Sequence, residues 1–255
     1  MIEVQRLSKS FKLNRTKRKE RATNNRDVLA VNDISFTCKP GRVFSLIGPN
    51  GAGKTTTLRI IATILKPSSG TVKVDGFDVE KNPVEVKRKL GFLTGSTGLY
   101  DRLTPNEIVE YFARLNDVDQ EKMKRKRKEL FDLLDIHDFA KQRIGKLSTG
   151  MKQKVSIART MIHDPEIIVF DEPTAGLDVI TAVNIIDLVK DCRAAGKTVI
   201  YSTHIMGEVE LLSDDIAIID KGRIYLQSTF EAFKEQMQGN SLVGEFIRII
   251  KSVEA

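Results

Sequence analysis

The sequence predicts an α/β fold with a mainly parallel sheet and a helical subdomain inserted into it. Three observations carry this reading. Short apolar runs of strand character recur along the chain, segments of helical period separate them, and residues 84–165 are charged, helix-like and poor in strand signals. With 255 residues, 41% of them hydrophobic, the chain buries one sizeable core, or one core with a smaller attached subdomain.

Residues 2–7 and 28–38 alternate as strands do, and 42–47 form a compact apolar strand ending at Gly48. Further strand runs follow at 71–74, 167–171, 198–202, 216–220 and 223–226. Leu58, Ile61, Ala62 and Leu65 fall at i, i+3, i+4 and i+7, and Ile108, Phe112 and Leu115 repeat the helical spacing in mid-chain. No fixed-period repeat is present, which argues against a solenoid or two fused copies.

No apolar stretch approaches the ~18 residues of a membrane span. The best candidate, 58–65, is short and contains Arg59. The first residues, Met1-Ile2-Glu3-Val4-Gln5-Arg6, lack the basic and then apolar pattern of a secretion signal, so a cytoplasmic location is expected. Cys38 and Cys192 match no metal-ligand spacing and fall in core-like segments, which predicts buried reduced thiols. The net charge of +7 permits nucleic acid or anionic lipid as a partner, and it is concentrated in two runs.

Gly48-Pro49-Asn50-Gly51-Ala52-Gly53-Lys54-Thr55 fits G-x-x-x-x-G-K-[ST] between an apolar strand and an amphipathic helix, the context that this phosphate-binding motif requires. The glycines let successive N–H groups turn toward phosphate oxygens, and the helix behind them adds its positive end. Lys54 supplies a charge for the β- and γ-phosphates, Thr55 a hydroxyl for Mg²⁺, and Thr56 extends the nucleotide-binding set. At 167–172, four apolar residues suited to a buried parallel strand end in Asp171 and Glu172. Acids at a strand's carboxyl end sit where α/β sheets bind ligands. Asp171 would hold Mg²⁺ and Glu172 would orient or deprotonate the attacking water. In isolation the pair also fits a solvated or turn-capping role, which the phosphate loop upstream makes the weaker reading.

With these motifs in place the chain resembles the ATP-binding cassette family over nearly its whole length. Leu147-Ser148-Thr149-Gly150-Met151-Lys152-Gln153-Lys154-Val155 looks like that family's signature. The resemblance implies a P-loop NTPase core with an antiparallel β subdomain, covering about 1–83 and 166–255, and a helical subdomain at about 84–165, together one nucleotide-binding domain. It also implies that two copies face head to tail around ATP, with Ser148 and Gly150 of one copy reaching the γ-phosphate held by the other. A serine and free N–H groups at a helix start suit an anion, although Ser148 alone would read as an ordinary helix cap. Ala175-Gly176-Leu177-Asp178 resembles the loop that joins the two sites, and His204 resembles the switch histidine that braces Glu172 and the water. Phe11 resembles the aromatic residue on which adenine stacks, and core packing is the alternative for it. The implied cofactors are ATP and Mg²⁺. The implied partner is a separate membrane-spanning permease, which places the chain on the inner face of the cell membrane.

Three departures from the common pattern narrow the resemblance. After the strand containing Gly91-Phe92-Leu93, Gly95 stands where the family usually has a glutamine that helps ligate Mg²⁺ and couples to the permease, with water or Ser96 as the replacement considered. Thr149 and Met151 replace a glycine and a glutamine of the signature. The stretches from Leu93 to Tyr100 and from Leu147 to Met151 together resemble the ATPase subunits of two-component sodium-efflux transporters, with drug or antibiotic exporters as the nearest competitor.

The run 12–26, KLNRTKRKERATNNR, looks like an insertion. A solvated loop is the preferred reading, and contact with anionic lipid headgroups is the sharper one. The second basic run, 121–129, precedes Leu130, Leu133 and Leu134 at core-facing spacing and reads as an exposed helical face. A cytosolic cassette ATPase acting on nucleic acid is disfavoured, because neither tandem cassettes nor a long coiled-coil insertion is present. An unrelated P-loop kinase would leave Ser148, Asp178 and His204 without a role.

Overall fold

The structure is a computed structural model describing residues 1–12, 27–94, 98–239 and 241–252. Most of the basic run, residues 13–26, and the expected glutamine-replacing positions Gly95 and Ser96 lie outside the described residues. Two sheets organise the chain. The first is antiparallel, in the order β2 (Asp27–Cys38), β1 (Ile2–Lys12), β4 (Ser69–Val74), β5 (Phe77–Asp78). The second has six strands: β10 (Arg223–Thr229), β9 (Asp215–Asp220), β3 (Val43–Ile47), β8 (Thr198–Thr203), β7 (Ile167–Asp171) and β6 (Leu90–Thr94). Its pairings are parallel except for β10 with β9 at one edge.

The six-stranded sheet is parallel because its central strands are apolar on both faces, so each face must be covered. Alternation sends successive side chains to opposite layers. Ile167 and Val169 enter one core with Ile200, Ala217 and Ile219, whereas Ile168 and Phe170 enter another with Val199 and Tyr201. The first core lies between the two sheets and encloses α1 (Lys54–Ile61), whose Leu58, Ile60 and Ile61 are fully buried. The second gathers α3 (Pro105–Leu115), α4 (Gln120–Leu133), α5 (Thr149–Met161) and α6 (Val179–Ala194). A third, smaller core holds Ile216 and Ile218 against α7 (Met206–Leu212), α8 (Phe230–Gln236) and α9 (Leu242–Ser252).

Several expectations shift. The segment expected to be helix-like from about residue 84 begins with a short helix, α2 (Pro83–Lys89), and the strand expected around Gly91-Phe92-Leu93 follows as Leu90–Thr94, which is the edge strand of the larger sheet, paired in parallel with β7. So short a strand names no partner by itself, and pairing with β7 is what fixes it in the larger sheet. The periodic run through Leu65 also overestimates its helix. Helix α1 stops at Ile61, Thr63 takes a left-handed φ of 61°, and Leu65 packs on the first core from beyond the helix end. Leu115 is exposed despite its spacing. Cys38 and Cys192 are free and buried, and burial holds both thiols above their usual range, Cys192 to about 11. Among the described residues no helix is long and apolar enough to cross a membrane.

Candidate nucleotide and hydrolysis site

The carboxyl ends of β3, β7 and β8 lie side by side in the sheet, and each delivers one part of a single cluster. After β3 the chain turns back so tightly that a Cβ at Gly48 would sit 2.1 Å from the Ile219 carbonyl oxygen, and one at Gly53 would sit 2.5 Å from that of Ala30. Gly53 also adopts φ 108°, a region glycine tolerates at no steric cost. The loop then enters α1 with no side-chain cap, so its first N–H groups are left for a ligand. Ala30, the segment from Pro49 to Thr56, and Glu172 line the resulting cleft.

Lys54 is only 3% exposed. Its Nζ donates to the carbonyls of Gly48 (2.6 Å) and Pro49 (3.1 Å) and pairs with Glu172 Oε1 at 3.0 Å. Thr55 Oγ1 donates to Asp171 Oδ1 at 3.1 Å, and Ser202 Oγ donates to the same oxygen at 2.8 Å. The Glu172 N–H donates to the Ser202 carbonyl and Oγ, each at 3.1 Å. His204 Nδ1 lies 3.3 Å from Glu172 Oε2. Glu172 itself has φ 48°, a left-handed conformation costing a bulky residue about 1–2 kcal/mol, which the Ser202 and Lys54 contacts offset.

The two adjacent acids are driven in opposite directions. Burial pushes the Glu172 carboxyl up, but the Lys54 ammonium and then His204 outweigh it, and Glu172 ionises below its ordinary range. Burial pushes Asp171 up, and the Ser202 and Thr55 hydrogen bonds only partly oppose it. An acid with a depressed folded-state value contributes stability that is complete above the unfolded value, here 4.5, and is lost as pH falls through the folded one. The stability advantage of wild type over Glu172→Gln should therefore shrink as pH drops from neutrality through that window. Denaturant melts of both proteins across the acid range measure this, and parallel stability curves would remove the Lys54–Glu172 pair.

The other sequence-selected residues sit apart from this cleft. Ser148 caps α5 and Asp178 caps α6, their side chains accepting from the N–H groups of Met151 (3.2 Å) and Thr181 (2.9 Å). The two helix starts adjoin each other: a Cβ at Gly150 would come within 3.8 Å of Asp178 Oδ2. None of these three residues lines the cleft. Phe11 is 39% exposed, with Lys9 Nζ 5.2 Å above its ring, so it is not a core residue. It pairs with Val28 in β2, two residues before the cleft-lining Ala30.

Three residues of this region were not selected from the sequence. Ser202 holds both acids through one hydroxyl. Gln153, in α5, donates to the Pro173 carbonyl at 2.8 Å and so ties that helix to the loop after Glu172. Glu208 is buried among threonines. Polar side chains within otherwise apolar or helical runs carry no local sign of such roles, although Ser202, two residues before His204, could have been suspected from its strand-end position.

A glycine-rich phosphate loop facing paired acids at the ends of parallel strands defines a nucleotide-hydrolysing domain. The family model for ABC transporters matches residues 31–175, and the chain belongs to that family as an ATP-binding, ATP-hydrolysing subunit. It is 44% identical over 217 residues to the ABC transporter ATP-binding protein NatA of Bacillus subtilis, spanning 84% of this chain and 88% of that one. It is 34% identical over 213 residues to the linearmycin resistance ATP-binding protein LnrL of the same organism, spanning 84% and 68%. Its fold superposes with TM-score 0.79 and 26% identity on a dimeric ATP-binding cassette in a post-hydrolysis state bound to ADP and Pi, covering 90% of this chain and 98% of that one.

Proposed function

We propose that this chain powers export, with Na⁺ as the transported species, by hydrolysing ATP between two copies of itself docked on a separate membrane subunit. The observation that carries the hydrolytic part is the convergence of Lys54, Thr55, Asp171, Glu172 and His204 at three adjacent strand ends. Lys54 and the N–H groups of the loop receive the phosphates, and an arriving phosphate competes with Glu172 for the Lys54 ammonium. That exchange frees the Glu172 carboxylate to accept a proton from the attacking water, with His204 on its other oxygen fixing its direction. Asp171 and Thr55 supply hard oxygen donors on one side of the cleft, the donor type Mg²⁺ takes alongside phosphate oxygens and water, and these two residues would hold it. Bound there, Mg²⁺ would neutralise phosphate charge.

Ser148, Gly150 and Asp178 lie at neighbouring helix starts outside the cleft, which suits a role at the site of a second copy. The dimeric state of the ADP- and Pi-bound relative supports the pairing of two copies. Phe11, exposed on β1 opposite Val28 of β2, is offered as the adenine platform. Sodium as cargo rests on the resemblance of 93–100 and 147–151 to sodium-efflux ATPase subunits. A drug exporter is the second reading, favoured by the similarity to the linearmycin resistance protein. Contact of 12–26 with anionic headgroups is supported by its charge and by nothing in the described residues.

Proteoliposomes containing the chain with its co-purifying membrane subunit test the cargo. ATP-dependent ²²Na⁺ movement that disappears with Glu172→Gln is the expected result. ATP-dependent movement of a lipophilic antibiotic without Na⁺ movement would select the second reading.

A further inference from the structure

One buried carboxylate near the site neither lines the cleft nor forms an ion pair among the described residues. Glu208, in α7, is 6% exposed. Its Oε1 accepts a hydrogen bond from Thr174 Oγ1, and its Oε2 accepts one from Thr203 Oγ1 at 2.6 Å. The Thr203 hydroxyl is itself fixed, because it also accepts from the Ile205 N–H at 3.0 Å. Thr174 stands two residues after Glu172, and Thr203 stands immediately before His204. A carboxylate taken out of water costs free energy unless its oxygens are hydrogen-bonded. Here the groups that satisfy it belong to two different segments, the turn that follows the acid and the end of β8 that precedes the histidine.

We propose that Glu208 is a positioning residue for ATP hydrolysis, bridging Thr174 and Thr203 so that Glu172 and His204 keep the separation at which one oxygen of the acid faces the imidazole. The proposal rests on the reading of Glu172 and His204 as the pair that handles the attacking water. A neutral amide weakens the bridge, because one threonine hydroxyl must turn its proton away to accept from the amide NH₂. Both threonine hydroxyls donate, and the amide offers one acceptor oxygen and one NH₂ that meets a hydroxyl with its proton already directed inward. Glu208→Gln therefore loosens one loop against the other without emptying the core. The phosphate loop meets Thr203 through its backbone, the Gly48 N–H donating to the Thr203 carbonyl at 3.4 Å, whereas Glu208 holds the Thr203 hydroxyl, so nucleotide affinity should be spared.

The test compares Glu208→Gln, Thr174→Val, His204→Ala and the double variant Glu208→Gln/His204→Ala for kcat, KM, affinity for a non-hydrolysable ATP analogue and Tm. Glu208→Gln should lower kcat about tenfold while KM and analogue affinity change less than about twofold. Thr174→Val, which keeps the volume and removes one hydroxyl, should lower kcat in the same direction by a smaller factor. In the His204→Ala background Glu208→Gln should cost less than about twofold more, because a residue acting through His204 has nothing left to position. An equal fold-loss of kcat in both backgrounds overturns the proposal, as does wild-type kcat in Thr174→Val. A parallel loss of analogue affinity and Tm overturns it too, returning Glu208 to a purely structural role. Normal turnover in Glu172→Gln and His204→Ala themselves would instead defeat the underlying reading of the site.

Discussion

Glu172→Gln is expected to keep ATP bound and to lose hydrolysis by about 10²-fold or more. The substitution preserves the side chain's size and an acceptor for Lys54, but an amide cannot take a proton from water. Position matters as much as chemistry here. The Glu172 side chain leaves a strand end at φ 48° with Ser202 holding its N–H, Lys54 on one oxygen and His204 on the other. Turnover and equilibrium binding measured on the same preparation separate the two effects, and full hydrolysis in the variant would refute the general-base role. The trapped protein also gives a direct view of assembly. Light scattering should show it passing from monomer to dimer on adding ATP. Ser148→Arg should abolish that shift by placing a bulky cation at the start of α5. A chain that stays monomeric at saturating ATP, with its membrane partner present, would remove the two-copy site.

Lys54→Ala should weaken ATP binding by about 10- to 100-fold, the loss of one charge-assisted hydrogen bond at about 1.5–3 kcal/mol. The lysine is nearly fully buried, so the alanine variant also leaves a gap beside Glu172. Lys54→Met keeps most of the buried stem and removes only the charge, and it should bind ATP as poorly as the alanine variant. Wild-type affinity in the methionine variant would show that the loop's N–H groups alone carry the phosphates. The same variant bears on Glu172. Without its ammonium partner the carboxyl has lost the principal influence holding its ionisation low, and only His204 still opposes burial.

The chemistry of the phosphate loop was legible because it is local. Eight consecutive residues specify both the backbone path and the lysine, and the two glycines at Gly48 and Gly53 are dictated by contacts that no side chain would survive. The acids were legible because four apolar residues before them announce a strand buried on both faces, and the end of such a strand is where parallel sheets present ligands-binding groups. Asp171 and Glu172 could be selected, but not told apart in protonation. Burial raises Asp171 against the hydrogen bonds of Ser202 and Thr55, and Lys54 and then His204 lower Glu172 against burial, so the difference is set by packing and by side chains on other elements, Ser202 31 residues and Thr55 116 residues from Asp171.

What the sequence by itself determined was the order of elements and which polar residues stand at the strand ends, since both are written in short-range patterns of apolar spacing, glycine and charge. Only the tertiary structure decided that β6 joins the larger sheet, that helix α1 ends before Leu65, and that Phe11 is exposed. It alone brought Gln153 to Pro173 and Glu208 to Thr174 and Thr203. The physical reason is the same in each case. A strand edge, a helix end or a buried polar side chain takes its place from whichever distant segment satisfies its hydrogen bonds or covers its surface, and that partner is set by the packing of the whole chain.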